Sequence, residues 1–258
     1  MPLNFNKLRG SHVLVIGGTS GIGLGITEGV LSSGGTVTIA SSSKERVESA
    51  VSRLRISFPS SKVAGTVIDL TAENIESSLS NLLGRAAEAQ GRLKHIVYTA
   101  ADAIPSAALA SFSAETFTKA TRLRVVVPFA LAKVVASGDY LDKDRSSSIV
   151  LTGGNVAVRP IPDWALVNFI ASGLEGAVRG LALDLAPIRV NLVAPGVVDT
   201  GLWGDEKARR ELADDMKARM PTRIIGQVED VVEAYLWLLK DGNATGTIAR
   251  TESGNNLV

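Results

Sequence analysis

Along this chain, short β-branched and apolar runs alternate with longer stretches in which apolar positions recur every three or four residues. The runs HVLVIG (12–17), TVTIA (36–40), KVAGTVIDL (62–70), HIVYTA (95–100), SSIVLTG (147–153), IRVNLVAPG (188–196) and TGTIAR (245–250) predict strands. The intervening periodicity predicts helices near 22–33, 44–58, 75–90, 114–137 and 164–185, with smaller ones near 205–220 and 228–239. Nearly continuous apolar strands separated by helices, rather than alternating hairpins, mean parallel strands covered on both faces. The expected fold is therefore α/β, a single doubly wound, Rossmann-type parallel sheet, with one domain over residues 1–258 and no repeat or linker. Residues 198–223, containing DTGLWGDEKARRELADDMKARM, are polar with scattered apolar anchors. They read either as a substrate cap or as an ordinary surface helix pair.

Composition narrows the partners. The chain has 258 residues, 27 basic and 26 acidic, with no Lys/Arg block, so no surface for nucleic acid or anionic lipid is expected and the partner is a small molecule. Cysteine is absent, which excludes disulfides, thiolate metal sites and a cysteine nucleophile and fits a reducing, cytoplasmic location. The N-terminal MPLNFNKLRGSH lacks an apolar signal core, and the apolar stretches are expected to fall short of a membrane span. His12 and His95 have no second ligand at metal spacing, so no metal is expected.

Residues 17–23 read GGTSGIG, directly after the first strand and at the start of a helix. Gly17, Gly21 and Gly23 allow a tight turn and a close approach to a pyrophosphate, with Thr19, Ser20 and Ile22 supplying the rest of the cradle. After the second strand comes SSSKER, with no carboxylate to accept from a free ribose 2′-hydroxyl. Ser41, Ser42 and Ser43, with Lys44 or Arg46, can hold a 2′-phosphate instead, which favours NADP(H) over NAD; Ser43 can equally cap the next helix.

These motifs resemble the short-chain dehydrogenase/reductase family over nearly the whole chain. The resemblance adds Asp69 and Leu70 at the adenine, Ala100 in the segment Tyr98-Thr99-Ala100-Ala101, and Pro195, Gly196, Val198 and Thr200 beside the carboxamide. It implies a serine, a tyrosine and a lysine for catalysis, and this chain has Gly154, Val167 and Ala171 at those positions. The three tyrosines, Tyr98, Tyr140 and Tyr235, are followed four residues later by Asp102, Asp144 and Leu239, so no YxxxK exists. In the family the tyrosine donates a proton to a carbonyl oxygen, and losing it disfavours ordinary ketone reduction while leaving hydride transfer open to an iminium or an activated enone.

The remaining chemistry is expected from Arg124, where the family carries an asparagine, and from the loop Arg159-Pro160-Ile161-Pro162-Asp163-Trp164. Asp163 reads as a helix cap, a carboxylate facing a cationic substrate, or a proton shuttle; Trp164 reads as a packing anchor or an aromatic wall. Arg124 and Asp163 are the candidate catalytic pair, with Thr152 and Asn155 as nearby polar groups. The loop and Arg124 are similar to a divergent fungal branch of the family, the NADPH-dependent reductase/Diels–Alderases of malbrancheamide and paraherquamide biosynthesis. That branch has an aspartate at the position of Ile161 and a glycine at Asp163. The expectation is an NADP(H)-dependent reductase of specialised metabolism acting on C=N or activated C=C, able to guide a [4+2] cyclisation. The alternatives are an NADP-binding sensor and a carbonyl reductase with a substituted acid. Gly173, Gly176 and Gly180 on the 164–185 helix allow close backbone approach, so a homodimer or homotetramer is expected.

Overall fold

The computed structural model describes residues 3–102 and 109–258; residues 1–2 and 103–108 of the expected domain lie outside the described residues. Seven strands form one parallel sheet: β1 (His12–Ile16), β2 (Thr36–Ser41), β3 (Val63–Val67), β4 (His95–Tyr98), β5 (Ser148–Thr152), β6 (Arg189–Pro195) and β7 (Ile248–Thr251). Their order is β3-β2-β1-β4-β5-β6-β7. Helices α1 (Gly21–Ser32), α2 (Lys44–Ser57) and α8 (Val228–Lys240) cover one face. The other is covered by α3 (Ile75–Gln90), α5 (Val127–Ser137) and α6 (Ala165–Asp184). Helices α4 (Ala114–Thr121) and α7 (Glu206–Lys217) are the remaining α-helices among the described residues.

The central apolar runs are continuous because both faces of the sheet are buried there, whereas at the edge Gly65 and Val67 of β3 are exposed. In β1, Leu14 and Ile16 join the core beneath α3, α5 and α6, while Val13 and Val15 join the core beneath α1 and α8. Each fully buried side chain of this kind contributes roughly 1.5–3 kcal/mol. By length and apolarity alone α6 qualifies as a membrane span, contrary to the expectation that every apolar stretch falls short. Its Leu174 and Val178 sit in the sheet core, which accounts for its composition.

Both histidines are interior strand residues. His12 binds the Gly91 carbonyl (2.7 Å) and Thr38 Oγ1 (2.9 Å), and His95 Nδ1 lies 2.9 Å from Ser148 Oγ. Burial, with Arg189 and Lys94 nearby, lowers the His95 pKa to about 3, so it stays neutral and buried.

The expected 114–137 helix is present but changes register. Between α4 and α5, residues Arg122–Val126 form a π turn in which the Val127 amide donates to the Arg122 carbonyl. The reason is Pro128. It has no N–H to offer the Arg124 carbonyl in α register or the Leu123 carbonyl in π register. The Tyr98 hydroxyl takes over the stranded Leu123 carbonyl at 2.6 Å.

Candidate functional site

Strand order reverses between β1 and β4, and the crevice at their carboxyl ends opens into a cleft of about 870 Å³. At one end β1 runs into the glycine loop. Gly17 (φ 95°) and Gly21 (φ 50°) adopt left-handed backbone. A methyl added at Gly23 would collide with the Gly17 carbonyl oxygen and lie 2.6 Å from Thr99 Oγ1. Side chains of Ser43, Asn74, Ser113 and Asp205 cap α2, α3, α4 and α7, whereas Ser20 makes no side-chain cap on α1. The amide-rich start of α1 thus lies on the cleft wall without an internal acceptor, which suits a phosphate. Gly17, Thr19, Ser20, Gly21, Ile22 and Gly23 all line it.

The serine cluster divides. Ser41, Ser42 and Arg46 line the cleft, with Thr19 Oγ1 donating to Ser41 Oγ (3.2 Å) and Arg46 Nη2 to Ser42 Oγ (3.1 Å). Ser43 and Lys44 are not on that wall. Ser43 Oγ accepts the Arg46 amide (3.2 Å) as the α2 cap, and Lys44 pairs with Glu48 at 3.8 Å. Asp69, Leu70 and Ala100 line the cleft, as do Pro195, Gly196, Val198 and Thr200. Hydrogen bonds from the Thr71 hydroxyl (2.6 Å) and amide (2.8 Å) to Asp69 Oδ1 hold that carboxyl below its usual pKa.

At the reaction end, Gly154, Val167 and Ala171 form wall where a serine, a tyrosine and a lysine would act. Tyr98 is the one tyrosine among the described lining residues. Burial raises its pKa and its proton is engaged by Leu123, so it is no substitute acid. Arg124 lines the cleft from the π turn, but its carboxylate partner is Asp102, not Asp163. Its Nη1 contacts Asp102 Oδ1 and its Nη2 donates to the Asp102 carbonyl at 2.6 Å. The Arg124 side chain is only 15% exposed, so its guanidinium is a positioned, partly desolvated charge.

Asp163 has φ 64°, is exposed and is absent from the lining; it makes no hydrogen bond or ion pair among the described residues. It does not cap α6 either, because Trp164 holds the N-cap position and no side chain caps that end. The expected Arg124–Asp163 pair is therefore not formed. Trp164 lines the cleft and stacks on Trp203 with ring centroids 6.5 Å apart and planes at 18°. Trp203 belongs to a short helical turn, Gly201–Trp203, inside the expected cap; its Nε1 donates to the Val198 carbonyl at 3.0 Å. Met216 and Arg219 bring the later part of 198–223 to the same wall. Thr152 lines the cleft with its hydroxyl 2.8 Å from the Tyr235 hydroxyl, and Asn155 is buried beneath the loop.

Asp102 and Trp203 were not singled out by sequence reasoning. For Asp102 the available signal was Pro128, which breaks helix register next to an arginine. Trp203 carried no local signal, since its partner comes from another segment.

A seven-stranded parallel sheet with a glycine-loop cleft at the switch point is the architecture of a Rossmann-type nucleotide-binding protein, and residues 4–258 match the family described as SDR-like Rossmann domain. The chain belongs to the short-chain dehydrogenase/reductase family, oxidoreductases that use NAD(P)H. Among fungal relatives, it is 39% identical to the short-chain dehydrogenase/reductase fsr5 of Gibberella fujikuroi, covering 98% of this chain and 97% of that one. It is 38% identical to malC of Malbranchea aurantiaca, covering 96% and 95%. The structure of the MalC reductase/Diels–Alderase superposes with a TM-score of 0.90 at 37% identity, over 98% of this chain and 99% of that one.

Proposed function

We propose that this chain is an NADPH-dependent reductase of fungal specialised metabolism that acts on an activated C=C or C=N bond and guides an intramolecular cyclisation of the same substrate. The observation that carries this reading is a cleft lined by a dinucleotide-type glycine loop at one end and, at its reaction end, by Val167 in place of the usual acid, with Arg124 on the same wall. Bound NADPH would supply hydride. The glycine loop and the start of α1 fit its pyrophosphate, and Ser41, Ser42 and Arg46 fit a 2′-phosphate. An iminium accepts hydride with no proton transfer. Hydride added to the β-carbon of an enone breaks its C=C π bond and leaves an enolate, whose oxygen a fixed guanidinium stabilises until the α-carbon takes a proton from water. Asp163 is off the wall, and the lining charges at this end are Arg124, Arg159 and Arg219, so the enone is better served. A cyclisation would rely on the apolar wall of Val167, Ile170 and Leu174 to hold reacting carbons together. The likeness to the MalC reductase/Diels–Alderase supports the same pairing of activities.

Calorimetry on ligand-free protein tests the cofactor. NADPH is expected to bind well ahead of NADH, and Arg46→Ala to lose roughly tenfold in NADPH affinity with NADH little changed, since Arg46 supplies one charge-assisted phosphate contact. No dinucleotide binding at all would overturn the reductase reading.

We also infer a homodimer or homotetramer in a reducing, cytoplasmic compartment. A methyl at Gly173, Gly176 or Gly180 would meet nothing within 4 Å, and Phe169 and Leu183 on the same helix are 55% and 80% exposed. An open small-residue face with large apolar neighbours suits a second copy. Sedimentation velocity showing only monomer at micromolar concentration would remove the oligomer. A fluorescent fusion that enters an organelle would remove the location.

A further inference from the structure

The last residues of the chain fold back onto the loop between β5 and α6. Asn155 and Asn256, 101 residues apart, exchange two amide hydrogen bonds: Asn155 Nδ2 donates to Asn256 Oδ1 (2.9 Å) and Asn256 Nδ2 to Asn155 Oδ1 (3.0 Å). Asn155 is 5% exposed and directly follows Gly154 at the reaction end. Its backbone is also a hub. The Asn155 carbonyl accepts the amides of Val158 (3.0 Å) and Arg159 (3.1 Å), which sets the turn from which Pro160 to Trp164 depart. A second tie runs from the Arg159 guanidinium to the Asn255 carbonyl.

The tail is itself anchored to the protein. The Asn256 amide donates to Glu252 Oε2 (3.2 Å) just beyond β7, and the Thr222 hydroxyl donates to the Ser253 carbonyl (3.3 Å). The far end of the loop carries Trp164, which stacks on Trp203 of the cap. Tail, loop and cap therefore form one chain of contacts across the cleft mouth.

We propose that Asn256 is a positioning residue: through its reciprocal amide pair with Asn155 it fixes the loop 155–164 and so holds Trp164 against Trp203 over the reaction end. An Asn–Asn pair suits the task, because each amide both donates and accepts, and breaking it would leave a buried Asn155 with neither partner. The two prolines cannot serve as the anchor. They stiffen the loop but provide no amide to tie it to the sheet. The tail supplies that tie from outside the loop.

Two readouts test this on the intact chain without any substrate. The chain has three tryptophans, and only Trp164 and Trp203 are stacked, so their exciton couplet in circular dichroism reports the loop–cap contact. Amide hydrogen exchange over 155–163 reports loop order. Asn256→Ala is expected to erase most of the couplet and to speed loop exchange roughly tenfold or more, with strand exchange and NADPH affinity unchanged within about twofold. Asn256→Asp keeps one of the two bonds and should fall between. A chain ended after Gly254 should match or exceed Asn256→Ala. Retention of couplet and loop protection in both Asn256→Ala and the shortened chain would overturn the proposal. So would equal loosening of the strands, since the tail would then support the fold at large. Lack of reductase activity in the unaltered protein would strike the functional reading alone, because neither readout requires turnover.

Discussion

Gly23→Ala is expected to lower dinucleotide affinity about 100-fold or more, equivalent to roughly 3 kcal/mol at the binding site. The added methyl would strike the Gly17 carbonyl oxygen and approach Thr99 Oγ1 to 2.6 Å. Neither neighbour can yield cheaply. The first is backbone of the phosphate loop, and Thr99 Oγ1 lies 3.2 Å from the Ile16 carbonyl, to which it donates at the end of β1. Relief requires α1 to move away from the loop, which spoils the amide cradle that a pyrophosphate needs. Calorimetry with NADPH measures the loss. Gly84→Ala is the matched control: Gly84 lies inside α3 with nothing within 4 Å of the added methyl. That change should leave affinity untouched and raise stability by about 0.5–1 kcal/mol. Gly23→Ala binding NADPH as tightly as the parent would mean that the glycine loop is only a turn.

The contrast between Gly23 and Asp102 shows what kind of information a sequence carries. The strands, the glycine loop and the β3 end with Asp69 were legible because each is a local pattern: an apolar run, a turn, a cap. Arg124 was legible only as a position, since the register of the helix bearing it depends on Pro128 and on Tyr98 reaching across from β4. The structure pairs Arg124 with Asp102, four residues beyond Tyr98, because the end of β4 passes beside the π turn. Ser43 and Lys44 failed to reach the cleft for a different reason. The unpaired amides at the start of α2 compete for Ser43, and once it caps the helix, Lys44 turns to Glu48 along the helix surface. The Asn155–Asn256 and Trp164–Trp203 contacts join segments far apart in sequence, and no local pattern announces either.

Arg124→Ala is expected to reduce kcat/KM for NADPH-dependent reduction of an enone by roughly 10²–10³, or about 3–4 kcal/mol of transition-state stabilisation, with NADPH affinity preserved within about twofold. The size follows from geometry. The Arg124 side chain is 15% exposed, its guanidinium bound by Asp102 through both carboxylate and carbonyl, and it is carried on a π turn whose stray carbonyl is tied down by Tyr98. A charge placed this way needs little reorganisation when an oxygen beside it becomes negative. Asp102→Ala removes the carboxylate anchor but leaves the backbone carbonyl at 102 and the charge of Arg124, so its loss should be smaller, about tenfold. In the double variant the two losses should not add, because Asp102 has nothing left to orient. Lys at 124 keeps the charge without the fork and should recover only a small part of the rate. An iminium substrate separates the remaining possibilities, since its reduction develops no oxyanion. If Arg124→Ala slows enone and iminium reduction equally, the arginine shapes the pocket; if it slows only the enone, it stabilises the developing charge. Full activity of Arg124→Ala on both would move the chemistry to another wall of the cleft.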